Sequence, residues 1–80
     1  MNLTEIGHSI LRSRKAHGLT QLSLADRAGV SRYTVVKLEN GKVADIQFKI
    51  LAAILSELRL SLTVTDRPVS GITVLGDQTP

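Results

Sequence analysis

The chain contains no cysteine and no tryptophan, and its only aromatic residues are Tyr33 and Phe48. Without cysteine there is no disulfide framework, no thiol nucleophile and no cysteine-based zinc site. Two prolines in 80 residues leave most of the chain open to helix. Long apolar runs are also missing. The longest, Ile50 to Leu55, is six residues, against the roughly 20 that a membrane helix needs. The start, Met1-Asn2-Leu3-Thr4-Glu5, lacks the basic flank and apolar stretch of a signal peptide. A cytoplasmic protein without a membrane partner is therefore expected. A chain this short buries only roughly 60% of its unfolded surface, so its core is thin. Oligomerisation is a common remedy.

The net charge of +3 is unevenly distributed. Residues 1–42 carry Arg12, Arg14, Lys15, Arg27, Arg32, Lys37 and Lys42 against Glu5, Asp26 and Glu39, a balance of +4. Residues 43–80 carry Lys49, Arg59 and Arg67 against Asp45, Glu57, Asp66 and Asp77, a balance of −1. Positive charge gathered in one half favours a polyanion partner, although so small an excess also fits ordinary solubility charge.

Leu3, Ile6, Ile10 and Leu11 recur at helical spacing after Asn2 and Glu5, which resemble a capping box. The first helix is expected from about Asn2 to His17, with Gly18 ending it. Thr20 is the expected N-cap of a second helix with Leu22, Leu24, Ala25 and Ala28 on its apolar face. Gly29 stops that helix, and Ser31 begins a third, held by Val35 and Leu38 and ended at Asn40-Gly41. Asp45 is the expected cap of a fourth helix from about Ile46 to Leu58. Its apolar residues cover more than half the circumference, which calls for a second subunit as well as a core. From Leu60 the period becomes 2: Leu60, Leu62 and Val64 alternate with polar residues as in a strand. A lone strand must pair, either with its copy in a dimer, the preferred reading, or with Ile72–Leu75. Residues 67–80 are expected to be a mobile tail.

Two short helices joined by so tight a turn, with Ala25 at the crossing and Gly29 four residues later, define a helix-turn-helix. The run LTQLSLADRAGVSRYTVVKLENGK, Leu19 to Lys42, resembles the Cro/C1-type (XRE-like) helix-turn-helix family without a gap. The resemblance implies a mainly α bundle of four to five helices, here with one C-terminal β-strand pairing across a dimer. The resemblance extends to about residue 58, and with the strand the DNA-binding and dimerisation domain is expected in residues 1–66. The run FKILAAILSELRLSLTVTD, from Phe48, is similar to HipB-type antitoxins. That likeness implies a nucleoid-associated bacterial repressor that autoregulates its operon and binds a HipA-like Ser/Thr kinase toxin.

Arg32, Tyr33 and Lys37 project away from Val35 and Leu38 and suit base contacts; the resemblance makes theirs the base-reading positions and implies a palindromic operator in double-stranded DNA. Gln21, by the resemblance, is the phosphate-gripping residue. Ser31, Thr34, Asn40 and Lys42 flank the groove and suit backbone contacts, and Arg14 is the best further phosphate candidate on an otherwise solvated face. Val36 is apolar on a face expected to be wet or close to DNA. Ile54, Leu58, Leu60, Leu62 and Val64 are the expected dimerisation residues. His8 and His17 lack the one-turn spacing of a metal pair, and Gly41-Lys42 lacks the rest of a phosphate loop. No catalytic residue, metal or cofactor is assigned. A stand-alone regulator without a toxin, and an adapter that neutralises a protein without DNA, remain open alternatives.

Overall fold

The computed structural model describes residues 2–63, and they form four helices: α1 Leu3–Ala16, α2 Gln21–Ala28, α3 Arg32–Glu39 and α4 Phe48–Glu57. Local chemistry fixes the starts of the first three. Asn2 Oδ1 accepts from the Glu5 backbone N–H while Glu5 accepts from the Asn2 N–H, a full capping box. Thr20 caps α2 through the Ser23 N–H, and Ser31 caps α3 through the Thr34 N–H.

All four helices end in one pattern of two reverse hydrogen bonds, the Schellman motif. At the end of α2, Gly29 has φ 72 and the Val30 N–H donates to the Ala25 carbonyl. At the end of α4 the left-handed position falls to Arg59, with φ 58. There the Arg59 N–H donates to the Ser56 carbonyl and the Leu60 N–H to the Leu55 carbonyl. This turns the chain so that Leu60 and Leu62 pack back on the core.

The core joins Ile10 of α1, Leu24 and Ala25 of α2, and Val35 and Leu38 of α3 to four residues of α4. Those four are Leu51, Ile54, Leu55 and Leu58. Helix α3 packs on α1 and α2, and α4 packs on α2. The α1–α3 crossing is unusually close: a Cβ on Gly7 would stand 1.9 Å from the Leu38 carbonyl oxygen.

Several expectations change. Helix α4 starts at Phe48, not Ile46, and its N-cap is Gln47, which makes no side-chain cap bond. Asp45 lies upstream of that cap and is exposed, because Val43 and Ile46 are drawn onto the core from a non-helical linker. Leu22, expected on the apolar face of α2, is 55% exposed. Ile54 and Leu58 are fully buried within their own chain, so they have no surface to offer a second subunit. Leu60 to Thr63 carry no regular secondary structure, and no strand occurs among the described residues. Val64, the Ile72–Leu75 alternative and the expected tail lie outside them. No helix among the described residues is long and apolar enough to cross a membrane.

Candidate nucleic-acid interface

Helix α3 has two faces with different duties. Its inward stripe is Val35, Leu38 and Glu39, all buried. Its outward side carries Arg32 and Tyr33, both exposed, and Lys37, half-buried. At 3.6 residues per turn Val36 projects between Arg32 and Tyr33, roughly 40° from one and 60° from the other. The outward face is therefore two cations, one aromatic ring and one small apolar side chain. The Lys37 ammonium lies 5.1 Å from the centroid of the Tyr33 ring.

The inward stripe ends in a charge. Glu39 is buried, and its carboxylate takes two hydrogen bonds from Arg14: Nε at 2.6 Å and Nη2 at 3.0 Å. Arg14 Nη1 donates to the Leu19 carbonyl at 2.7 Å. Gln21 Nε2 donates to Glu39 Oε1 at 3.0 Å. The Arg14–Glu39 pair thus ties α1, the segment after it, the first residue of α2 and the end of α3. Hydrogen bonding to Glu39 and its negative charge raise the Arg14 pKa above the ordinary arginine value, against the opposing effect of burial. No buried side-chain N or O among the described residues is left without a partner.

This overturns the placement of Arg14. It does not lie on a solvated face, and each of its three guanidinium nitrogens donates to Glu39 or Leu19. The signal was in the spacing: Gly7, Ile10 and Arg14 fall on one stripe of α1 and all three are buried. An arginine on a buried stripe requires an acid opposite it, and Glu39 ends the helix that α1 crosses. Gly7 and Glu39 are the residues that sequence reasoning missed.

The other candidates are placed as follows. Gln21 is half-buried at the start of α2. Ser31 Oγ and Thr34 Oγ1 share a hydrogen bond of 2.9 Å across the first turn of α3. Asn40 and Lys42 are exposed just past its end. Arg32, Tyr33, Lys37, Ser31, Asn40 and Lys42 therefore lie on α3 or at its ends. His17 Nδ1 lies 2.8 Å from the Ser13 carbonyl oxygen, and the ring sits at the C-cap of α1. No cluster of metal-ligating side chains occurs among the described residues.

A buried-faced α3 laid across α2, with its polar side turned outward, is the scaffold of a helix-turn-helix DNA-binding protein. The helix-turn-helix family model matches residues 10–64, more than half of the chain, and the chain belongs to this Cro/C1-type family. The family is one of DNA-binding transcriptional regulators, not an enzyme family. No curated protein matches the chain.

Proposed function

We propose that the chain is a sequence-specific operator-binding repressor in which α3 reads bases with Arg32, Tyr33 and Lys37. The observation that carries this is the division of α3: the inward stripe is locked into the core, and the outward side chains are exposed or half-buried and take no part in it. Arg32 suits a guanine, whose O6 and N7 match its paired donors. Lys37 suits a guanine or a phosphate. Val36 and the Tyr33 ring suit a thymine methyl. Ser31, Thr34, Asn40 and Lys42 orient the protein through the phosphates. Gln21 contributes the amide hydrogen that Glu39 leaves unused. Affinity then falls steeply with salt, with a log–log slope of about −0.9 per phosphate neutralised.

Arg32→Ala is expected to weaken the preferred site by about 1–3 kcal/mol, roughly five- to 150-fold. Binding to random duplex should fall less than about threefold. Gel shifts on the chain's own promoter region and on random duplex measure both. Equal losses on the two would remove the base-reading role.

A homodimer on a palindromic site is part of the same proposal. With Ile54 and Leu58 in the core, the surface left for a second copy among the described residues is Phe48, Ala52, Leu60 and Leu62. Phe48 is 70% exposed, which supports a partner surface. Truncation after Leu58 should leave a helical monomer in sedimentation velocity. A dimer of unchanged strength would show that Leu60–Val64 is not the interface.

The alternating leucines after α4 also support the HipB-like reading, in which the dimer autoregulates its operon and binds a HipA-like kinase toxin. Co-purification with the product of the adjacent reading frame tests it. A neighbour without kinase features favours the stand-alone regulator instead.

A further inference from the structure

Tyr33 and Lys37 are four residues apart, stacked one turn over another on the outer side of α3. The ammonium lies 5.1 Å from the ring centroid, inside the range of about 6 Å in which a cation is held by an aromatic face. Tyr33 is 68% exposed, so its ring supports nothing in the core. Lys37 is half-buried although it points outward. A lysine side chain loses much rotamer freedom when it is fixed on a ligand. A ring that fixes it beforehand lowers that loss at the moment of binding.

We infer that Tyr33 is a positioning residue for Lys37: the ring holds the ammonium at the outer face of α3 before DNA arrives, and the two side chains read as one unit. The inference rests on the base-reading role of α3 proposed above. The ammonium keeps outward N–H donors for guanine O6 and N7 while its inner side rests on the ring. Tyr33 thereby contributes to discrimination at a base pair that it does not itself contact.

Two measurements test this. In the free protein, NMR should show the Lys37 ε-methylene protons shifted upfield by the ring. The shift should persist in Tyr33→Phe and vanish in Tyr33→Leu. Exposure of Tyr33 means that neither variant disturbs the fold. The second measurement is selection from a pool of randomised duplex DNA with wild type, both Tyr33 variants, Lys37→Ala and the Tyr33→Leu/Lys37→Ala double variant. Lys37→Ala should erase a guanine preference at one position. Tyr33→Leu should weaken that same preference about two- to five-fold, as an exposed cation–π contact predicts. Tyr33→Phe should keep it, and the double variant should lose no more at that position than Lys37→Ala. A guanine preference untouched by Tyr33→Leu, or an absent ring shift, overturns this inference alone. A wild-type pool with no enriched sequence overturns it together with the base-reading role of α3.

Discussion

Gly7→Ala is expected to destabilise the protein by about 3 kcal/mol, the upper end of what overpacking costs. The added Cβ would stand 1.9 Å from the Leu38 carbonyl oxygen and 2.9 Å from its carbon. Both are backbone atoms inside a helix, so no rotamer change relieves the clash. Helices α1 and α3 must move apart, which loosens Ile10, Val35 and Leu38 together. Intrinsic propensity acts the other way: alanine is better than glycine in a helix interior by about 1 kcal/mol. The sign of the result is therefore diagnostic. A loss of about 3 kcal/mol lowers the midpoint of a domain this size by about 12 to 24 °C. Thermal and urea unfolding followed by circular dichroism measure it. A variant as stable as wild type would mean that the helices do not cross at Gly7.

The second large effect belongs to Glu39. Glu39→Gln leaves the Arg14 guanidinium buried without its counter-charge. Removing one member of a buried pair costs about 3–5 kcal/mol. Glutamine keeps one acceptor, so the lower end is expected. The loss should survive 1 M salt, since burial shields the pair from the ions that screen surface charges. Replacing both partners, as in Arg14→Met with Glu39→Leu, should recover most of the stability, because two apolar groups carry no desolvation cost. Urea midpoints of the three variants at low and high salt decide this. A single variant that unfolds like wild type would show that the pair contributes nothing. The double variant still lacks the acceptor of Gln21. It should fold and yet bind DNA more weakly than wild type.

The helix ends were legible because each is set by chemistry within a few residues. Asn2 with Glu5, Thr20, Ser31 and Gly29 act on their own neighbours, so spacing alone reveals them. The core positions Ile10, Leu24, Ala25, Val35 and Leu38 were legible from the apolar period. What was not legible depends on contacts between distant parts of the chain. Arg14 reads as one more surface cation until Glu39, 25 residues away, is placed opposite it. Gly7 reads as a neutral helix residue until a carbonyl of α3 arrives over it. The broad apolar surface of α4 has the same ambiguity. Period shows how wide the surface is but not which part meets its own core, so Ile54 and Leu58 read as dimer residues and lie inward. Asp45 failed as a cap because Val43 and Ile46 draw the preceding linker onto the core, which delays the helix by two residues.

The division of α3 makes the scaffold and its address separable. Val35, Leu38 and Glu39 fix where the helix lies, while Arg32, Tyr33, Val36 and Lys37 are the side chains it turns away from the core and, in the proposed reading, toward DNA. Under that reading, exchanging the outer set would alter preference at little energetic expense to folding, and a sequence could pass from one operator to another through stable intermediates. Substitutions on the inner stripe have no such freedom. They change binding only by moving the whole helix, and a screen for inactive variants would gather them alongside those on the reading face.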